Sequence, residues 1–179
     1  MLYKNMPYKN MPYKNIYYKK FLFFMLGIFM MNASFAMGNS LVSSESLREF
    51  TKDSYQEILQ TNKGQPFLMV LWSIDCPPCH EELAHISAYK KKYPKHKIIL
   101  ISTDSNAQAV RQVLEGNDVL HLESWLFSNA LAHQLRYAID PHWYGELPRS
   151  YFFSQQHTRQ AVSGTLSLTA INAFFSRSY

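Results

Sequence analysis

Cys76, Pro77, Pro78, Cys79 and His80 are consecutive, and two chemistries use that spacing. C-x-x-C is the spacing of a dithiol that cycles to a disulfide. C-x-x-C-H is the attachment pattern of a c-type haem. Both chemistries occur outside the cytoplasm. The chain has no other cysteine. A disulfide scaffold is therefore excluded, and one chain cannot form a Cys₄ zinc site. Zinc held by Cys76, Cys79 and two histidines would need a downstream H-x₃₋₅-H at finger distance, which is missing. His85, His96, His121, His133 and His157 have no spacing that marks a ligand or catalytic set. A Cys–His nucleophile pair with His80 accounts poorly for the second cysteine.

The surrounding elements give the dithiol its chemistry. Pro66–Trp72 is a continuous apolar run of strand length, which suits a strand buried on both faces. A helical pattern follows, with Leu83, Ile86, Tyr89 and Tyr93 on one face and Pro94 as its stop. Cys76 then falls near the N-cap. Pro77 and Pro78 occupy the first turn, where proline is tolerated because those N–H groups have no intrahelical partner. The remaining free N–H groups and the helix dipole favour a negative charge on Cys76. The thiolate is the attacking species in disulfide exchange. Cys79, one turn later, is placed to resolve the mixed disulfide.

The rest of the chain reads as alternating helices and strands. A short element and a helix from Asp53 or Ser54 come first. Lys97–Ser102 is a strand, and Asp104 or Ser105 caps the helix after it. Val119–Leu122 is a short strand, and Ser128 or Asn129 caps the next helix. Asp140–Pro148 is irregular. Arg149–Ser154 and Gln160–Leu166 form a hairpin, and a last amphipathic helix carries Leu168, Ile171, Phe174 and Phe175. This order predicts one α/β layer sandwich, with parallel strands first and a hairpin last.

Residues 1–36 stand apart. A pentapeptide repeat supplies five lysines and no acid, an apolar run spans Phe21–Met31, and Ser34 and Ala36 precede a possible cut before Met37. That is the form of a secretory signal peptide, and Met6 and Met11 would each leave a normal one. An uncleaved inner-membrane anchor facing the periplasm is the alternative, although the strict run falls short of the ~20 residues that span a bilayer. Residues 37–46 read as a linker and 47–179 as the folded domain. Without the leader, thirteen basic residues balance thirteen acidic ones. No electrostatic case for nucleic acid remains. The basic cluster from Lys90 to Lys97 reads as a solvated helix end that complements the dipole.

Leu71 to Cys79, Leu-Trp-Ser-Ile-Asp-Cys-Pro-Pro-Cys, resembles the active-site segment of the thioredoxin superfamily, most closely its exported TlpA/ResA/DsbE-type thiol–disulfide oxidoreductases. Gly64-Gln65-Pro66 is similar to the branch's G-K-P, and Gly145-Glu146-Leu147-Pro148 resembles the loop that holds its cis-proline. Gly164 fits the glycine of its last strand. The resemblance covers roughly residues 48–179. It implies a thioredoxin-like three-layer sandwich, a central mixed sheet flanked by helices. It implies a cis bond before Pro148 and a Leu147 backbone that pairs with an extended substrate segment. Trp72 joins Leu147 and Pro148 in the substrate-binding set, although packing beside the dithiol is its simpler role. Trp143 and Tyr144 could line the same groove. The long interval from Cys79 to Pro148 fits an extra strand and helix that this branch inserts.

The sequence departs from the pattern at three places. Asp75 stands where the family has a bulky residue; a carboxylate beside Cys76 would oppose its ionisation and tune its redox poise, the alternative being a solvent-facing Asp with little effect. Val70 stands where the family has a buried acid, and Glu82 is the candidate substitute that could move a proton to or from Cys79; the alternative is an exposed Glu in the first turn of the helix. Residues 48–60 look like the start of plain thioredoxin and not like the branch's N-terminal hairpin.

A c-type haem electron carrier needs a second axial ligand and a helical setting. The apolar strand before Cys76 argues instead for thiol chemistry without a cofactor. The expected protein is an exported, periplasmic thiol–disulfide oxidoreductase that acts on protein thiols or disulfides and meets a membrane or periplasmic redox partner. The resemblance favours a reductase, for example of apocytochrome thiols in cytochrome c maturation; an oxidase or isomerase of the same fold is the alternative.

Overall fold

Phe67–Trp72 is apolar at every position because both faces of its sheet are covered. Leu68, Val70 and Trp72 enter one core cluster. Phe67, Met69 and Leu71 enter the other. The next strand splits the same way, with Ile98 and Leu100 on one side and Ile99 and Ile101 on the other. Period-two alternation places successive side chains on opposite faces, so an unbroken apolar run marks the centre of a sandwich. Fully burying one such aliphatic side chain contributes about 1.5–3 kcal/mol.

The computed structural model describes residues 47–178. The elements in order are β1 (Arg48–Phe50), α1 (Ser54–Thr61), β2 (Phe67–Trp72), α2 (Pro77–Lys92), β3 (Lys97–Ser102), α3 (Ala107–Gly116), β4 (Glu123–Phe127), α4 (Ala132–Ile139), β5 (Arg149–Phe153), β6 (Arg159–Ser163) and α5 (Leu168–Ser178). They build a six-stranded sheet in the order β1-β4-β3-β2-β5-β6. β1, β4, β3 and β2 are mutually parallel. β5 runs antiparallel to β2, and β6 antiparallel to β5. Helices α2, α3 and α5 bury Leu83, Ile86, Val110, Leu114, Ile171 and Phe175 against one face. Helices α1 and α4 bury Tyr55, Ile58, Leu135 and Ile139 against the other. The three-layer α/β sandwich expected from the element order is therefore present.

β4 lies between β1 and β3, so the long interval from Cys79 to Pro148 does contain an inserted helix and strand. β1 pairs with β4 and leads into α1, and no N-terminal hairpin occurs among the described residues. Of the lysines closing α2, Lys91 and Lys92 are exposed and Lys90 is half-buried: Lys90 donates to the Pro94 and His96 carbonyls, and Lys91 pairs with Asp118.

Three local expectations are corrected. Val119–Leu122 is a turn, closed by Leu122 N–H donating to the Val119 carbonyl, and the strand is Glu123–Phe127. Val119 and Leu122 are apolar because they plug the core from that turn. Neither Asp104 nor Ser105 caps α3: Asn106 is the N-cap, accepting from Ala109 N–H at 3.1 Å. Leu131, not Ser128 or Asn129, occupies the N-cap position of α4. The leader and linker expected over 1–46 lie outside the described residues. Among those described, no helix is long and apolar enough to cross a membrane.

Candidate active site

β2 ends at Trp72, three residues turn the chain, and Cys76 becomes the N-cap of α2 with prolines at its first two positions. Cys76 and Cys79 form a disulfide with an S–S distance of 2.01 Å and Cα atoms 5.2 Å apart. The two cysteines differ in access. Cys79 is fully buried, whereas Cys76 is partly exposed. Only Cys76 therefore offers a sulfur to another macromolecule.

The turn that delivers Cys76 is held on both sides of one residue. Asp104 accepts from Ile74 N–H at 2.9 Å and from the Ser73 and Ser102 hydroxyls at 3.1 and 2.7 Å. His80 Nε2 donates to the Ile74 carbonyl at 2.8 Å. The histidine that completes the C-x-x-C-H spacing thus directs Nε2 at the backbone of the turn. Asp75, next to Cys76, is exposed, and its carboxylate has no hydrogen-bond or ion-pair partner among the described residues. No three His, Cys, Asp or Glu side chains among the described residues group to hold a metal ion.

Leu147 and Pro148 reach the same end of the sheet through pairing. β5 is antiparallel to β2, and Arg149 pairs with Leu71, so Pro148 lies just beyond, where β2 hands over to the dithiol turn. The Leu147–Pro148 peptide is cis. The segment after β6 touches both the loop and α2: Gly164 N–H donates to the Pro148 carbonyl at 2.9 Å, and Thr165 Oγ1 donates to the Pro78 carbonyl at the start of α2 at 3.2 Å. Gly145 and Gly164 hold φ of +99° and +91°, a region that favours glycine. The Leu147 N–H and carbonyl have no hydrogen-bond partner among the described residues. Trp72 is buried in the same cluster as Cys79, so it supports the dithiol from beneath and does not reach the surface. Trp143 is also buried, its indole donating to the Glu146 carbonyl at 2.8 Å, while Tyr144 is 91% exposed.

Glu82 lies one turn beyond Cys79 on α2 and is completely buried. Its Oε1 accepts from Ser150 Oγ at 2.8 Å, and its Oε2 has no hydrogen-bond partner. Burial pushes its pKa up to about 7, against the opposing pull of the Ser150 hydroxyl, His85 and the Leu166 backbone. A carboxyl poised there can take or give a proton near neutrality. Ser150 is also the cross-strand partner of Val70. The Glu82 carboxyl thus reaches the strand beside β2 at the level of Val70. Nothing in the sequence marks Ser150, and Asp104 stands out there only as a candidate helix cap.

No protein-family model matches the chain, and no curated protein matches it. Solved structures do. A secreted disulfide oxidoreductase of Mycobacterium tuberculosis, homologous to E. coli DsbE, superposes with a TM-score of 0.55 at 16% identity, over 66% of this chain and 85% of that one. A thiol:disulfide interchange protein of the thioredoxin family from Chlorobium tepidum gives 0.57 at 13% identity, over 67% and 83%. A thioredoxin-related protein from Neisseria meningitidis serogroup B gives 0.55 at 20% identity, over 67% and 89%. The chain has a thioredoxin-like fold. In that fold, the disulfide at the start of α2, the Leu147–Pro148 loop and the buried Glu82 occupy one end of one sheet.

Proposed function

We propose that the protein is an exported thiol–disulfide oxidoreductase that reduces disulfides in other proteins. The observation that carries this reading is the asymmetric C-x-x-C disulfide: Cys76 accessible at the N-terminus of α2, Cys79 buried behind it. In the reduced protein the Cys76 thiolate attacks a substrate disulfide. A Cys76–substrate S–S bond forms, the substrate S–S bond breaks, and the departing sulfur takes a proton. Cys79 then gives its proton to the Glu82 carboxylate and attacks Cys76 sulfur. The Cys76–Cys79 bond forms, and the second substrate sulfur leaves. Two electrons pass to the substrate, and a dithiol partner in the membrane or periplasm must return them. The unpaired Leu147 backbone receives an extended substrate segment as an added strand, with Pro148 holding its edge.

Export rests on the basic, apolar and small-x-small pattern of residues 1–36 and is supported by the secreted M. tuberculosis neighbour. Apocytochrome C-x-x-C-H thiols are a fitting substrate class, because they must be reduced outside the cytoplasm before haem attachment. The experiment is trapping with Cys79→Ala in the exporting host. Mixed disulfides on Cys76 to protein partners are expected. Their absence, with the variant folded and its Cys76 thiol free, would sink the reading.

A further inference from the structure

Arg149 directly follows Pro148, and its guanidinium closes the loop that Pro148 ends. Asp140 opens that loop as the C-cap of α4. Arg149 Nη2 donates to Asp140 Oδ2 at 3.3 Å, and Nη1 donates to Glu146 Oε1 at 3.1 Å and to Ser163 Oγ at 2.6 Å. Asp140 is held from further directions. Tyr151 OH donates to Oδ2 at 3.0 Å, His142 N–H donates to Oδ1 at 3.1 Å, and Arg159 Nη2 lies 3.4 Å from Oδ1. The Asp140 side chain is 4% exposed and that of Arg149 is 14% exposed. A nearly buried ion pair therefore joins residue 140 to residue 149 across the irregular segment between them. Among the described residues, no hydrogen bond or ion pair of Asp140, Arg149, Arg159 or Tyr151 reaches Cys76, Cys79 or Glu82.

We propose that the Asp140–Arg149 pair is a positioning device that fixes the Leu147 backbone for protein substrates and leaves the thiol chemistry of Cys76 alone. This rests on the reading of Leu147 as the substrate-pairing strand edge. The fork geometry is specific: the two guanidinium ends reach Asp140 on one side and Glu146 with Ser163 on the other, which a lysine ammonium cannot reproduce. Loosening the loop adds an ordering cost to strand pairing, whereas a small disulfide that pairs with no backbone is indifferent to it.

The test uses pre-reduced protein in single turnover, with insulin as the protein disulfide and hydroxyethyl disulfide as the small one. Arg149→Lys and the near-isosteric Asp140→Asn are compared with wild type, with folding checked by circular dichroism at the assay temperature. The half-saturating insulin concentration is expected to rise about tenfold, with the limiting rate and the hydroxyethyl disulfide rate within about twofold of wild type. A parallel fall for both disulfides would reduce the pair to a general structural role and overturn the proposal. So would an unchanged insulin dependence in both folded variants. Pro148→Ala separates the two readings. If it weakens insulin binding while Arg149→Lys does not, the positioning role falls and the docking site stands. If neither variant moves insulin binding, both fall.

Discussion

Ser150 Oγ donates to Glu82 Oε1 at 2.8 Å, joining the strand after the cis-proline to the helix that carries the dithiol. The contact explains how a carboxyl survives in the core one turn from Cys79. It satisfies one oxygen and leaves the other without a partner, so the charged form is disfavoured. A pKa of about 7 follows from burial.

This shift has a sign in stability. The folded protein binds the Glu82 proton more tightly than the unfolded chain, whose value is near 4.5. The favourable contribution is full below pH 4.5 and is lost as pH rises toward about 7. The loss amounts to about 3 kcal/mol, one unit being ~1.4 kcal/mol. Urea unfolding of wild type across this range is expected to show that fall, and Glu82→Gln to abolish it.

Ser150→Ala removes the donor that favours the Glu82 carboxylate. The pH at which stability levels off is expected to move above that of wild type. The variant should also lose about 1 kcal/mol at neutral pH. The same urea series reads both effects.

Asp104→Ala strips the acceptor from Ile74 N–H and from two hydroxyls. A cost of about 1–3 kcal/mol is expected for these part-buried groups. Hydrogen exchange at the Ile74 amide should speed up well beyond that at β2 amides, which keep their ladder. Equal acceleration at both would mean that Asp104 stabilises the domain as a whole and not the turn.

Asp75 is exposed, so its influence on Cys76 is screened by salt. Asp75→Asn removes a negative charge beside the thiolate. The reduction potential is expected to become less negative, by up to about 30 mV at low ionic strength. The difference should shrink in high salt.

Much of this architecture was legible because local signals and tertiary demands agree. Phe67–Trp72 could be read as a central strand since burial on both faces leaves no polar position. Cys76 could be placed at a helix start since two prolines fit only the first turn. Val119–Leu122 misled because a turn can bury valine and leucine as a strand does. Asp104 was read as a cap because its partner, Ile74, lies thirty residues earlier in sequence. The Asp140–Arg149 pair is hidden for another reason: its partners are nine residues apart, and neither is unusual until the irregular loop between them closes. The spacing of Glu82 from Cys79 makes it a candidate, but its hydrogen bond to Ser150, far along the chain, appears only in the fold.

The most direct measurement of the central claim is single-turnover reduction of insulin by the pre-reduced protein, wild type against Cys76→Ser. Wild type is expected to pass two electrons per molecule and end as the Cys76–Cys79 disulfide, while Cys76→Ser, with Cys79 buried, passes none. Reduction by Cys76→Ser at the wild-type rate, or a folded wild type whose free dithiol leaves insulin untouched, would contradict the account.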